Sequence, residues 1–158
     1  MANTSIEHFY SNDHDELDGF LKKFQELKRK NFVEAKPFFR AFKFGLARHI
    51  LWEEEILFPV FEEKTGMKDN GPTVVMRHEH VLIKEALEAL HDKVREHNPD
   101  SDAQERALIE ILSEHNDKEE SILYPAIDEM ASDKQKKSLF LKMQEVPKER
   151  YETCGCHH

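Results

Sequence analysis

Turn-forming residues and cysteines are scarce in this sequence of 158 residues. Five glycines and six prolines are too few for a turn-rich β architecture and favour long helices. The two cysteines, Cys154 and Cys156, lie among the last five residues and cannot cross-link a fold. We therefore expect a reducing compartment and a cytoplasmic protein. No apolar run approaches the roughly 20 residues of a membrane-spanning helix, and residues 1–10 lack the layout of a secretory signal.

The charge balance also excludes classes of protein. With 23 basic and 32 acidic residues the net charge is −9, which disfavours binding to the phosphate backbone of nucleic acids. Hydrophobic residues make up 39% of the chain and charged residues 35%, which is typical of one globular domain and not of a disordered chain. Histidine is abundant, with 10 residues, and it is the commonest side-chain metal ligand.

Apolar residues at three- and four-residue spacing predict an all-α fold, because no segment alternates convincingly at a period of two. Capping residues and prolines predict four long helices and one shorter helix. The starts of the helices are expected near Asn12 or Asp13, near Pro37, near Pro72, near Asp100, Ser101 or Asp102, and near Ser132 or Asp133. Four long helices with short loops are typical of an antiparallel up-down-up-down four-helix bundle. We expect this bundle in residues 1–131, a short fifth C-terminal helix in residues 132–147, and a flexible tail in residues 148–158.

An internal repeat with an offset of 66 residues carries the chemistry of this sequence. Residues 49–59 and residues 115–125 both read H-x-x-x-E-E-x-I-L-[FY]-P, and the same offset relates His14 to His80. Each half therefore has one histidine and, 35 residues later, a His-x-x-x-Glu pair.

Helix geometry converts this spacing into a site. Histidine and glutamate at positions i and i+4 share one helix face, and an antiparallel hairpin brings the two histidines of each half to the same level. These residues fall on apolar stripes, where an unpaired imidazole or carboxylate would be costly, so a bound cation is the simplest explanation. The predicted metal ligands are His14, His49, Glu53, His80, His115 and Glu119.

The mixture of imidazole and carboxylate ligands indicates the metal. Two histidines per half and two bridging glutamates suit a pair of non-haem iron ions best, with manganese next and zinc as an alternative. A ferritin-like centre is disfavoured because Glu-x-x-His occurs once, at Glu88 and His91, three turns from His80.

On these residues the sequence resembles the hemerythrin family, in particular its HHE cation-binding branch. The likeness covers residues 8–130 and includes the Leu-Phe-Pro and Leu-Tyr-Pro triplets that end the two repeat motifs. It implies a four-helix bundle around an oxo- or hydroxo-bridged di-iron centre that binds dioxygen, senses oxygen or iron, or reacts with peroxide or nitric oxide. Because the oxygen carriers use a His-x-x-x-x-Asp spacing for one bridge, Glu54 or Glu120 could replace Glu53 or Glu119.

Two positions depart from the oxygen carriers. The oxygen carriers of the family that this sequence resembles have a His-x-x-x-His motif on the third helix, whereas this sequence has Met76 four residues before His80. The repeat places Tyr10 opposite Met76, so Tyr10 either faces the site as a ligand or proton donor or covers the end of the bundle. A nearly symmetric ligand set disfavours reversible oxygen carriage. The iron–sulfur repair members of the family carry an N-terminal cysteine region, and its absence here disfavours that role.

Three functions stay open at this point. The leading hypothesis is binding or sensing of a small oxidant such as oxygen, peroxide or nitric oxide, and the second is a di-iron enzyme that decomposes peroxide. The third is a metal-buffering or structural metal domain. The remaining histidines His8, His78, His91 and His97 are expected at the surface or in loops. The sequence does not indicate the oligomeric state, and for the Cys154 and Cys156 tail it leaves soft-metal binding, thiol exchange and no role open.

Overall fold

The computed structural model describes residues 5–153, and every regular element in that range is helical. The all-α prediction is therefore confirmed for the described residues. Expectations about Cys154 and Cys156 concern residues outside this range. The α-helices are α1 Ile6–Leu27, α2 Phe32–Trp52, α3 Phe58–Thr65, α4 Pro72–Arg95, α5 Asp102–Lys118, α6 Tyr124–Met130, α7 Asp133–Glu145 and α8 Lys148–Thr153.

Helix α1 begins two turns earlier than the sequence pattern indicated. Ser5, not Asn12 or Asp13, is its N-terminal cap, and the Ser5 side chain accepts a hydrogen bond from the backbone N–H of His8. The polar residues of the first turns lowered the apparent periodicity, although Ile6 and Tyr10 are fully buried. The earlier start places Tyr10 one turn before His14 on the inner face of α1.

Helix α2 also starts earlier than predicted, because Asn31 caps it through a hydrogen bond from the backbone N–H of Glu34. Pro37 lies inside α2 and not in its first turn, on a side of the helix that is exposed to solvent. The predicted stop at Gly66 is confirmed, since this residue has a φ of 74° and follows the last residue of α3.

Two π-helical turns interrupt the long helices at equivalent points of the repeat. Glu53–Leu57 joins α2 to α3, and Glu119–Leu123 joins α5 to α6. The N–H groups of Phe58 and Tyr124 bond to the carbonyl oxygens of Glu53 and Glu119, five residues earlier. A proline follows directly in each case, and a proline inside a helix removes one N–H and clashes with the carbonyl four residues before it. The wider turn relieves that conflict.

The contacts between α1 and the second half of the chain run in reverse order: residues early in α1 contact residues late in that half, and residues late in α1 contact earlier ones. The backbone N–H of Ile6 donates to Oδ1 of Asp128 over 2.7 Å, at the start of α1. At the end of α1, Nζ of Lys28 lies 2.5 Å from Oε2 of Glu105. Helix α1 also packs along α2, and α4 packs along α5. The α2 and α4 contacts are reversed as well, from Glu54 with His80 to Lys43 with His91.

The apolar core consists of two clusters with a polar layer between them. Along α1, Tyr10 belongs to one cluster and Leu17 to the other, and the buried His14 lies between them. The first cluster joins α1, α2, α4 and α5, and the second joins α1, α3, α6 and α7 together with Met76 of α4. The polar layer is thus enclosed by apolar side chains on both sides.

The C-terminal helices cover the second cluster and one side of α2. Helix α7 begins with a capping box at Ser132 and Gln135, and its Met143 is buried. The segment after Pro147, which we expected to be loose, contains the short helix α8. Tyr151 of α8 is buried, and its hydroxyl accepts a hydrogen bond of 2.7 Å from Nε1 of Trp52. No helix within residues 5–153 combines the length and apolar character of a membrane span.

Candidate metal centre

The polar layer brings together all six residues that the repeat singled out. Each of these residues is at most 4% exposed. Their ligand atoms form two groups, each with all atoms within 4.8 Å of one another. The first group is His14, His49, Glu53 and Glu119, and the second is Glu53, His80, His115 and Glu119.

The two glutamates belong to both groups and divide their oxygens between them. Oε2 of Glu53 lies 3.3 Å from Nε2 of His49, and its Oε1 lies 3.0 Å from Nε2 of His80. Oε1 of Glu119 lies 3.2 Å from Nε2 of His14, and its Oε2 lies 3.1 Å from Nε2 of His115. Each carboxylate is thus positioned to bridge two cations.

Asp13 and Glu79, which the sequence did not point to, orient one histidine of each half. Oδ2 of Asp13 lies 2.8 Å from Nδ1 of His49, and Oε1 of Glu79 lies 2.8 Å from Nδ1 of His115. These two acids are related by the same 66-residue offset. A carboxylate that accepts from Nδ1–H directs Nε2 towards the centre and increases its basicity as a ligand.

Glu54 and Glu120 play the corresponding part for the other two histidines. Glu54 lies 2.8 Å from Nδ1 of His80, and Glu120 lies 2.7 Å from Nδ1 of His14. Each acid reaches across to the histidine of the other half. Because both acids face the outer nitrogens, the structure places them beside the centre and not in the bridging positions that the sequence left open.

Three buried atoms at the second group lack a hydrogen-bond partner among the described residues: Oε1 of Glu53, Nε2 of His80 and Oε2 of Glu119. Oε1 of Glu53 and Nε2 of His80 are close enough for an ion pair but do not have hydrogen-bond geometry. Buried polar atoms of this kind are costly unless something binds them. The donor set, which is nitrogen from imidazole and oxygen from carboxylate, fits a cation such as iron or manganese.

The charges of the centre are strongly coupled. Burial by itself would lower the pKa of His49, but Glu53 and Asp13 outweigh it and raise this pKa to about 10. Burial also opposes protonation of His80, and the neighbouring carboxylates of Glu53 and Glu54 raise its pKa to about 9. Burial favours the neutral form of Glu53, yet His49 and His80 hold its pKa well below its ordinary value. Protons and metal ions therefore compete for the same nitrogens.

Tyr124 is a further residue of the centre to which the sequence analysis assigned no role. Its hydroxyl donates to Oε2 of Glu53 and lies 2.8 Å from Oε1 of Glu119. The same oxygen lies 3.3 Å from Nε2 of His49 and 3.4 Å from Nε2 of His14. The hydroxyl is thus in contact with all four members of the first group. The only sequence signal was the F/Y difference at this position of the repeat.

The second group has no such hydroxyl among the described residues. Phe58 is the repeat equivalent of Tyr124, and its ring stacks on His80 at 5.8 Å between centroids. Tyr10, which the sequence proposed as a ligand or proton donor, directs its hydroxyl to Sδ of Met143 at 3.7 Å. The ring of Tyr10 packs edge-on against His49. Tyr10 thus borders the centre with its ring and not with its hydroxyl.

A small cavity of about 10 Å³ touches all four histidines on the side away from Tyr124. Its other walls are mainly apolar, and Asp18 and Asn116 form its polar edge. A cavity of this size holds about one water-sized molecule. A larger surface cleft of about 320 Å³ between α1 and α5 shares His14, Asp18 and Asn116 with the cavity and provides a path to solvent.

One of the remaining histidines is not where the sequence suggested. His8, His78 and His97 are exposed as expected, but His91 is only 9% exposed and lies 2.7 Å from Nζ of Lys43. His91 lies at the edge of the first apolar cluster. In the sequence it looked like a surface residue because its neighbours in α4 are charged.

Comparison with known proteins places the chain in the class that this centre suggests. The family model of the hemerythrin HHE cation-binding domain matches residues 5–127. The chain therefore belongs to the hemerythrin HHE cation-binding family. It has buried histidine and glutamate groups of the kind that hold a metal ion.

Individual relatives are more distant. The chain is 33% identical over 89 residues to the iron-sulfur cluster repair protein YtfE of Escherichia coli O81. The matched region covers 51% of this chain and 40% of that protein. It is 31% identical over 116 residues to an uncharacterised hemerythrin-like protein of Schizosaccharomyces pombe, covering 71% of this chain and 55% of the relative. The chain thus spans about half the length of these relatives or less. No solved structure matches it.

Proposed function

We propose that this chain is a di-iron protein whose centre binds, senses or reacts with a small oxidant such as oxygen, peroxide or nitric oxide. The observation that carries this proposal is the cavity beside the four histidines, which has room for about one water-sized molecule. Its apolar walls disfavour charged or bulky ligands, and the cleft between α1 and α5 supplies a route for entry.

The ligands would be His14 and His49 for one iron and His80 and His115 for the other, with Glu53 and Glu119 bridging both. Two bound cations would satisfy the buried atoms that lack partners. Bound iron supplies the redox chemistry and the affinity for small oxidants. The protein orients each imidazole through an outer carboxylate and keeps bulk water away with the two apolar clusters.

The proposed topology is the antiparallel up-down-up-down bundle. The reversed order of contacts between α1 and α5–α6, and between α2 and α4, supports it. Residues 132–147 would then be an accessory helix outside the bundle. The name of YtfE refers to a repair activity of the whole protein, and this chain matches 40% of that protein. The resemblance therefore supports a shared metal-binding domain and not a shared repair activity.

A peroxide-consuming enzyme is the second candidate. Asp18 lines both the cavity and the cleft, so a titratable carboxylate lies on the route between solvent and the centre. Proton access of this kind favours reduction of a bound oxidant over its reversible release. Replacing Asp18 with Asn would slow peroxide consumption without changing iron content, whereas reversible binding would be unaffected.

The decisive experiment combines metal analysis with optical spectra of the purified protein. We expect about two metal ions per chain, mostly iron, because each histidine pair and the shared glutamates form one site. Spectra of anaerobic, aerated and peroxide-treated protein then separate the candidates. Air should convert the reduced protein to a ferric form that vacuum does not reverse, with modest peroxide consumption. Zinc alone after reconstitution with iron would overturn the proposal, and a reversible oxygen adduct without peroxide turnover would favour an oxygen carrier.

A further inference from the structure

The two groups of the centre share the same kinds of ligand but differ in one neighbour. The Tyr124 hydroxyl lies within 3.4 Å of a ligand atom of every member of the first group. The equivalent position beside the second group is Phe58, whose ring has no atom that can bind a metal. The difference is therefore one of chemistry and not only of packing.

The backbone holds Tyr124 in this position. In a regular α-helix a residue five positions after Glu119 would lie about 140° around the axis from it. The π turn Glu119–Leu123 instead ends with Tyr124 N–H bonded to the Glu119 carbonyl, and the Tyr124 hydroxyl meets the Glu119 carboxylate at 2.8 Å. Tyr124 is fully buried, and its ring packs against Tyr10 at 5.1 Å between centroids. Its hydroxyl is held among the ligands by both the fold and the packing.

We infer that Tyr124 is a fifth protein ligand of the iron held by His14 and His49, an assignment that rests on the di-iron proposal. Phenolate oxygen is a hard donor that ligates ferric iron in haem proteins such as catalase. On binding ferric iron, the Tyr124 oxygen forms a bond to the metal and its proton passes to solvent, so no change of oxidation state is required.

This assignment makes the two irons unequal. The first iron has five donors from the protein, namely His14, His49, Glu53, Glu119 and Tyr124, and the second iron has four. The iron held by His80 and His115 therefore keeps more open positions, and the small oxidant binds there. The chain thus creates, with one tyrosine, an asymmetry that its four histidines do not provide.

The test is resonance Raman spectroscopy of the iron-loaded ferric protein, with excitation in its visible charge-transfer band. The chain has three tyrosines, so Tyr124→Phe, Tyr10→Phe and Tyr151→Phe form a complete set. We expect enhanced phenolate ring vibrations in the unaltered protein and in the Tyr10 and Tyr151 variants. They should vanish in Tyr124→Phe when the signal is compared per bound iron, with the iron content of each variant measured in parallel.

Growth on ring-deuterated tyrosine provides a second measurement that needs no variant, because the enhanced vibrations must then shift to lower frequency. If Tyr124→Phe does not fold, retention of the signal in the other two variants assigns it to Tyr124 by elimination. Iron-loaded protein without phenolate vibrations, or a signal that survives in Tyr124→Phe, would overturn this inference and leave the di-iron proposal intact. A protein that binds no iron would overturn both.

Discussion

The two halves of this protein supply the same histidines and glutamates to the centre, yet they leave different surroundings at its two sides. The first half contributes His14, His49 and Glu53, and the second contributes their equivalents. The difference lies at one position of the repeat, where Phe58 stacks on His80 and Tyr124 enters the first group. A duplicated set of histidines and glutamates thus does not produce two equal surroundings.

The carboxylates that contact the outer nitrogens of the histidines are more alike in the two halves than the residues at positions 58 and 124. Asp13 with Glu79, and Glu54 with Glu120, hold the four outer imidazole nitrogens at 2.7 to 2.8 Å. The orientation of the histidines is therefore common to the two halves, and their ability to add a further ligand is not. The predictions below test how far that contrast extends.

Removal of a shared ligand should have the largest effect. Glu53→Ala takes one oxygen from each group, so metal content should fall from about two ions per chain towards zero. His49→Ala and His115→Ala each disable one group and should retain more metal than Glu53→Ala. Metal analysis after dialysis measures this, with the exposed His78→Ala as the control. Equal metal loss in His78→Ala would show that the site is misplaced.

The second largest effect should be a loss of thermal stability when the metal is removed. If metal is present at about 100 times its dissociation constant, binding to the native state contributes about 2.7 kcal/mol. For a chain of this size that corresponds to a decrease in Tm of roughly 5 to 10 °C. Calorimetry of chelated and reconstituted protein measures the difference. A chelated protein that melts at the same temperature would mean that the centre is occupied by protons and not by metal.

Changes to the outer carboxylates should reveal whether the halves contribute equally. Asp13→Asn and Glu79→Gln weaken the orientation of His49 and His115, and such changes cost about 10- to 100-fold in metal affinity. Competition with a chelator measures each variant, and the exposed Glu85→Gln serves as the control. Similar losses would extend the symmetry to the outer carboxylates. If only Asp13→Asn weakens binding, the second half would tolerate misorientation of its histidine.

The pH dependence of the metal-free protein should reveal the raised pKa values of two histidines. The pKa of His49 is raised to about 10 and that of His80 to about 9, so each stabilises the fold below the ordinary value of 6.5. This contribution is lost as the pH rises through 9 to 10. The lowered pKa of Glu53 contributes stability above 4.5, which is lost as the pH falls further. Maximum stability is thus expected between pH 4.5 and 6.5.

Titration of the imidazole signals by NMR should show both His49 and His80 losing their protons well above pH 6.5. A stability maximum above pH 8 would indicate instead that both histidines are neutral in the metal-free protein.

The smallest effect is expected for Tyr10→Phe. Its hydroxyl makes one contact, to Met143, and the ring that packs on His49 is retained. We expect unchanged metal content and a change in the free energy of unfolding below about 1 kcal/mol. Denaturant unfolding and metal analysis check this. Loss of metal in Tyr10→Phe would assign to Tyr10 the role that we infer for Tyr124.

The sequence by itself determined the helical class, the two-fold repeat and the six residues that meet in the polar layer. It did so because helical periodicity and the 66-residue offset are local properties that residue spacing records directly. Helix ends were less predictable: Ser5 and Asn31 cap α1 and α2 earlier than the apolar pattern indicated. The first turns of α1 mix polar with apolar residues, and in α2 Pro37 suggested a start that the structure places five residues earlier, at Phe32.

Only the tertiary structure decided which carboxylates face inward and that Tyr124 joins the centre. Glu53 and Glu54 are adjacent in sequence, and helix geometry favoured Glu53, whereas the spacing used by the oxygen carriers kept Glu54 open. The π turn that begins at the glutamate of each His-x-x-x-Glu pair adds one residue to a helical turn. It therefore changes which side chains after it face the centre, and a pattern with a period of 3.6 residues does not indicate this change. Packing of α1 against α5 and α6 then places Tyr124 beside His14, 110 residues away in the chain. Such a contact depends on the assembled helices, because its two partners share no local sequence pattern.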